Sequence, residues 1–531
     1  MEAMGIEDQG LEFLKDQGPI QRDLSVLLQL RGRERMEAIL SSENPRALFQ
    51  TLPEEEAYFT IKEIGEQDAF PLLSLMSPAQ CQYLLDLELW RGYEIQLEKV
   101  EQWLPLLLSC DQEVVCQWLR SMDVDTLLLI LKKTIRPHLK EGEEVRETQK
   151  EEGSTFTLDG TYFIEVLNPS LQEPIERLLR DLADLDFNLY WKVLQQADAE
   201  IKAELEERAL HFREARLEDK GFPPMEEALS LYQYLNPKRL KRMLEEKEIY
   251  LPDVIDTPPP SFPMVLKDQD LFFSICLRDM EEGSLLDRLK VELTYMANQV
   301  IVADQPESID FSTLQGSLRK VGGFLSIGLE MLSEGDKRKA REWIGRVPLK
   351  FLFQVGYGSC LELKWKAERI WGKGWFSKNG IPMSFLGSPW EERIQGLLRK
   401  RPLFYDDKEE RGYREFRSIK EIQLLHRDLD MIEVIGKILS TLPSFSYSDG
   451  LLWKGVVLTA FMDEQMKQFP HQSHKPIEGR MGGLGEGNGR RMEINDSFKN
   501  WVFQRVEMKE KEANLLNEIA TWVLEDIEKN A

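Results

Sequence analysis

The sequence predicts a mainly α protein: a helical-repeat-like superhelix followed by a further helical bundle, with one small β-hairpin near residues 155–166. Three observations predict it. Leucine-rich residues recur at three- and four-residue spacing along most of the chain. Proline and cap-type residues interrupt these runs at short intervals, as helix starts and stops require. The clearest β signal is the pair of runs Thr155–Leu158 and Thr161–Val166, separated by Asp159-Gly160. With 531 residues, 42% hydrophobic and 30% charged, the chain is long enough to bury more than one core. Its 93 acidic and 68 basic residues give a formal net charge of −25. That charge repels polyphosphates and argues against a surface that tracks nucleic acid throughout.

Residues 1–140 read as a region of short helices. Residues 1–17 hold Glu2, Glu7, Asp8, Glu12 and Asp16 with no basic flank before an apolar run, so no secretory signal is expected there. From Pro45 to Pro137 one local pattern recurs: a leucine-containing turn, then a residue able to cap the next helix. It starts at Leu48, Leu72, Leu106 and Trp118, spacings of 24, 34 and 12 residues, as expected if a helix and its turn are the unit of a small superhelix. Ser77 followed by Pro78 is an N-cap with proline in the first turn, and Asp111 and Asp123 are expected to cap in the same way. Glu54, Glu55 and Glu56 after Pro53 suit a helix N-terminus. The longest apolar candidate, 124–135, is broken by Asp125, Lys132 and Lys133, so no spanning helix is predicted.

Residues 141–153 form an acidic linker, and 154–251 hold the hairpin and further helices. Helical spacing from Pro174 through Ile175, Leu178, Leu182, Leu189 and Val193 predicts one helix, and a second is expected over 198–219, stopped by Gly221. Pro258-Pro259-Pro260 marks a boundary at 252–263. A C-terminal helical domain follows over 264–470, in which Leu314, Leu318, Val321, Leu325, Leu329 and Leu332 share a face and Gly335 is the expected C-terminal cap. Gly322 and Gly323 inside that helix predict close packing. Residues 371–389, rich in tryptophan and glycine, read as an ordered loop, 471–491 as a flexible glycine-rich loop, and 492–531 as one C-terminal amphipathic helix.

Chemical signatures are sparse. Gly372-Lys373 and Gly436-Lys437 lack the Ser or Thr of a phosphate-binding loop. Ser359-Cys360 lies in what reads as a buried helix, with no base nearby in sequence. His471 and His474 have no ready third ligand. The five cysteines, Cys81, Cys110, Cys116, Cys276 and Cys360, are odd in number and widely spaced, and read as buried free thiols of a reducing compartment. No catalytic residue, metal ligand or cofactor is predicted, and the location is expected to be cytoplasmic.

Two constellations are candidate binding surfaces. Arg213 and Arg216, an i,i+3 pair near His211 and Lys220, could clamp a carboxylate or phosphate. The competing structural reading has Glu214, Glu218 and Asp219 neutralise them. Lys364, Lys366, Arg369, Trp371, Lys373 and Trp375 interleave base and aromatic, and could meet a base, a peptide or a membrane surface. The competing reading packs those tryptophans into the core.

The phrases Leu52-Pro53-Glu54-Glu55-Glu56-Ala57 and Leu75-Met76-Ser77-Pro78-Ala79-Gln80 resemble the intracellular helical-repeat domain of bacterial magnesium transporters and related motor-switch repeats. Nothing here matches the transporter's membrane helices, so transport is not implied. The Asp159-Gly160 hairpin, Leu87-Glu88-Leu89-Trp90, and the run from His211 to Pro223 resemble a bacterial domain-of-unknown-function family over nearly the whole chain. That resemblance implies one helical architecture and no activity. The leading expectation is therefore a non-enzymatic cytosolic interaction protein with a protein partner and no nucleic acid. The alternative is an enzyme or small-ligand sensor with a polar pocket at Arg213/Arg216 or at the tryptophan segment.

Overall fold

The computed structural model describes residues 24–139, 155–251, 270–278, 283–409, 412–443, 447–468 and 488–530, apart from positions 25, 248 and 449. The acidic linker, the proline-rich boundary 252–263, and His471 and His474 with most of the glycine-rich loop lie outside the described residues. The chain is mainly α and divides into two compact units. Among the described residues, one comprises those of 24–231 and 290–318, the other those of 232–289 and 319–530.

In the first unit, capping chemistry sets the helix starts. Short helices span Pro45–Gln50, Glu54–Ile64, Phe70–Leu73, Pro78–Glu88, Leu97–Leu108, Gln112–Ser121 and Val124–Thr134. Ser77 Oγ accepts from the Gln80 amide at 3.2 Å while Gln80 Oε1 accepts from the Ser77 amide at 2.9 Å, a reciprocal cap. The Gln80 side-chain amide also donates to the carbonyls of Phe49 and Leu52, tying this start to the end of an earlier helix. Asp123 caps as expected, accepting from the Asp125 amide at 3.2 Å. Asp111 makes no side-chain cap bond, which corrects that expectation.

The β-hairpin is present but narrower, and it gains a strand. Ile135–Leu139, within the region expected to hold short helices, is a strand that pairs antiparallel with Tyr162–Val166, whose other edge carries Thr155–Phe156. A third strand stabilises a hairpin that would be marginal alone. The shorter ladder ends at the Phe156–Ile164 pair, so the connection through Asp159-Gly160 is wider than two residues. Asp159 Oδ1 accepts from the amides of Thr161 and Tyr162, which shapes the turn.

The expected helix from Pro174 is two helices, Gln172–Leu185 and Phe187–Ala199. Asp186 is extended between them and caps the second by accepting from the Asn188 and Leu189 amides. Apolar spacing hid the break because both helices bury the same side. Lys202–Glu218 follows, and Gly221 (φ +79°) turns the chain as predicted. Trp103, Tyr58, Tyr190 and Phe49 are among the largest fully buried side chains of this unit.

In the second unit, close backbone approach extends beyond the predicted Gly323. A Cβ at Gly323 would lie 2.2 Å from the Phe416 carbonyl oxygen. Where the helices Phe311–Ser333 and Leu349–Ala367 cross, a Cβ at Gly328 would lie 2.1 Å from Leu352 O, and one at Gly356 2.0 Å from Phe324 O. The segment 371–389, expected as a loop, is largely helical turns: a π turn Glu368–Gly372, the helix Trp375–Lys378 and a 3-10 turn Met383–Leu386. The C-terminal region is two helices, Asn488–Phe503 and Glu510–Asn530, not one. The Glu512 carboxylate accepts from the Lys509 amide at the start of the last helix, a local cap that favours a new start there. Among the described residues no helix is long and apolar enough to cross a membrane. Cys81, Cys110, Cys276 and Cys360 are buried free thiols and Cys116 is half-buried.

Candidate functional site

The first unit contains a cleft of about 580 Å³. Four pieces of chain build it. The Pro78–Glu88 helix ends there, and the chain turns through Trp90–Arg91 and Glu94–Ile95, a small antiparallel pair. Gly92 holds φ +61°, as a two-residue hairpin turn of the mirror-image kind requires. The Leu97–Leu108 helix then starts at the cleft with Gln96, Glu98 and Lys99 lining it. Its N-cap, Gln96, makes no side-chain cap bond, so the electropositive end of this 12-residue helix keeps its first amides uncapped. Arg213, Glu214 and Leu217 of the Lys202–Glu218 helix supply one wall, followed by Phe222 and Met225. Residues 305–309 complete the rim. Gln305 closes its helix in the left-handed region (φ +49°), unusual for a side chain of this size, with its amide reaching Ile301 O at 3.0 Å.

Beneath the cleft lies a buried charge cluster centred on Glu88. Trp103 Nε1 donates to Glu88 Oε2 at 3.0 Å, Lys62 Nζ is 3.1 Å from Oε1, and Lys99 Nζ is 3.7 Å from Oε2. The Tyr58 hydroxyl lies 2.6 Å from both Glu88 Oε1 and the Ile309 carbonyl oxygen, which ties the cluster to the rim. Burial pushes the Tyr58 hydroxyl well up, and the Glu88 charge adds to it, so this group acts as a neutral donor. Burial disfavours the Lys62 charge, but Glu88 and Glu66 outweigh it and raise its pKa.

Arg213 is the distinctive group. Its Nε donates to the Asp86 main-chain oxygen at 2.7 Å, and its guanidinium carbon sits 5.4 Å from the Trp90 ring centroid. No carboxylate forms a salt bridge with it among the described residues. Burial lowers its pKa to about 10, so it remains a cation at neutral pH, half-buried at the cleft. Glu214, Glu98 and Glu307 line the same cleft, and their carboxylates make no salt bridge among the described residues.

Arg216, paired with Arg213 on sequence spacing, does something else. It forms two parallel hydrogen bonds to the Asp86 carboxylate, 2.8 Å each, and reaches Asp123 Oδ2 at 3.3 Å. Internal pairing was one expectation, but its partners are distant in sequence, not Glu214, Glu218 or Asp219. Lys220 pairs with Glu54 at 2.8 Å. Arg213 and Arg216 therefore do not form one clamp.

In the second unit, Lys364 Nζ donates to the carbonyls of Arg399 (2.7 Å) and Lys400 (3.1 Å), at the end of the Trp390–Leu398 helix. Lys366 pairs with Asp430 and Arg369 with Glu433. Trp371 stacks on Phe376 with centroids 4.8 Å apart, and Trp375 meets the same ring edge-on at 5.4 Å. Both tryptophans are half-buried, while Lys373 is exposed. Cys360 is fully buried and its thiol is pushed well up by burial, in keeping with a packing role.

Reading the sequence missed Glu88, Lys99 and the 305–309 rim. The one local signal was an acid and a tryptophan, Glu88 and Trp90, just before the Arg91-Gly92 turn; nothing local joins them to Gln305. Among the described residues no group of three or more His, Cys, Asp or Glu could hold a metal ion.

A family model described as a family of unknown function, DUF6178, matches residues 13–531. No curated protein and no solved structure matches. The resemblance of 45–137 to magnesium transporters is not shown by these comparisons.

Proposed function

Because the chain belongs to the DUF6178 family, whose function is unknown, we propose its function from the site: the first unit binds a small organic anion through a carboxylate or phosphate. The observation that carries this reading is Arg213, a half-buried guanidinium facing a cleft and forming no salt bridge with a carboxylate among the described residues. An unpaired cation held in protein is costly, and an anionic ligand supplies the missing partner. Lys99 and the uncapped helix start at Gln96 add positive potential on the same cleft. The volume falls within the roughly 300–1,000 Å³ usual for small-molecule sites. Reduced, buried thiols are in keeping with a cytosolic setting.

Calorimetric titration of the whole chain with a panel of carboxylates and phosphate esters tests it. At least one should bind, with Arg213→Ala weakening it about tenfold or more and Lys99→Ala less. A panel without any binder rejects the reading.

A protein-interaction role is the second reading, favoured by the exposed rings of Tyr234 and Trp365, whose centroids lie 5.1 Å apart on the second unit. Recovery of a stoichiometric partner that is lost with Trp365→Ser supports it; absence of such a partner counts against it.

A further inference from the structure

Granting that anion reading, we infer that the ligand is a zwitterion of the amino-acid class with a bulky apolar side chain: its carboxylate meets Arg213, its ammonium meets Glu214, and its side chain rests on the apolar wall. Both charged groups line one cleft. Arg213 and Glu214 are consecutive on a helix, so their side chains diverge and form no salt bridge with each other, although the Glu214 charge still favours the Arg213 cation. Among the described residues, Arg213 donates a side-chain hydrogen bond to the Asp86 main-chain oxygen, and half-buried Glu214 has no salt bridge. A simple anion would satisfy the guanidinium and leave an unpaired carboxylate beside it, a like-charge penalty that a ligand ammonium removes.

The remainder of the cleft decides the side chain. Trp90, Phe222 and Ile301 are buried residues lining it, with Met225 beside them. These surfaces gain about 25 cal/mol for each Å² of apolar ligand area they cover. A ligand as small as acetate would leave most of the 580 Å³ filled with water.

The test is calorimetry on the whole chain with L-phenylalanine and L-leucine, against 3-phenylpropanoate, 4-methylpentanoate and phenethylamine. At least one of the two amino acids should bind ten times or more tighter than its analogue lacking the ammonium, and phenethylamine should bind worse than L-phenylalanine by a similar factor. Glu214→Gln should bring the amino acid down to the level of its desamino analogue without weakening that analogue. If the desamino acids bind as tightly as the amino acids, the zwitterion inference fails and the anion reading stands. If no acid binds, the zwitterion inference fails, and the anion reading fails with it once the phosphate esters of the wider panel also do not bind. Should Glu214→Gln not fold, the comparison of ligands on the unaltered chain still decides.

Discussion

Arg216 holds the carboxylate of Asp86 by two parallel hydrogen bonds of 2.8 Å, while Arg213, three residues earlier, takes the main-chain oxygen of the same aspartate. One residue thus anchors two arginines with different outcomes: Arg216 is consumed in holding helices together, and Arg213 is left facing the cleft. Burial pushes the Asp86 carboxyl up, and the Arg216 fork opposes that.

Removing the fork should therefore cost stability more than binding. Arg216→Ala leaves a buried carboxylate without its main partner and should destabilise the protein by about 3 kcal/mol, with Arg216→Lys losing less because the charge stays and the fork does not. Denaturant melts of both variants check this order; an Arg216→Ala protein as stable as the parent contradicts it.

Glycines inside helices should behave in opposite ways according to what surrounds them. Gly328→Ala or Gly356→Ala drives a methyl into a carbonyl oxygen of the crossing helix and should cost about 1–3 kcal/mol or more, although alanine is the better helix former. Gly316→Ala, exposed inside its helix with nothing within 4 Å of the added Cβ, should stabilise by about 0.5–1 kcal/mol. Thermal melts of the three variants provide the comparison.

Trp371 and Trp375 share one support, the buried Phe376 ring. Each alanine variant should lose about 1–3 kcal/mol, and the double variant should differ from the sum by more than about 0.5 kcal/mol because the removed contacts are common. A double-mutant cycle by chemical denaturation measures the difference. Strict additivity, or no loss at all, means these rings are not part of the packing.

The Glu54–Lys220 pair gives an acid-side dependence whose sign is fixed. Burial pushes the Glu54 carboxyl up, but the hydrogen bond from Lys220 and one from the backbone hold it below the ordinary 4.5. The unfolded chain then binds more protons between the two values, so the pair's contribution is complete above 4.5 and is lost as pH falls through the folded value. Lys220→Met should lower stability by less than about 1 kcal/mol at neutral pH, since the pair is half-buried and reached by solvent, and by progressively less as pH falls below 4.5. Urea melts across that range test it; a deficit that grows toward acid contradicts the assignment.

Local chemistry made much of the fold legible. The Ser77-Pro78 start, the Asp159-Gly160 turn, the Gly221 stop and the packing at Gly323 each depend on residues within a few positions or on one backbone conformation, so they can be read from neighbours. Two helix breaks, at Asp186 and before Glu510, escaped because apolar periodicity continues across a short interruption when both helices bury the same side.

By itself the sequence determined a mainly α chain, its cap-defined short helices and its free thiols, four of the five buried, and it singled out the His211–Pro223 run. Tertiary structure alone decided what that run does. Asp86 lies 130 residues from Arg216, and Glu88, Lys99 and the Gln305–Ile309 rim come from separate stretches, so no spacing rule joins them. Ion pairing and desolvation act through space and vary steeply with distance and burial, and both are fixed only once the chain has folded. That is why two arginines three residues apart, alike in sequence, become one structural brace and one open cation.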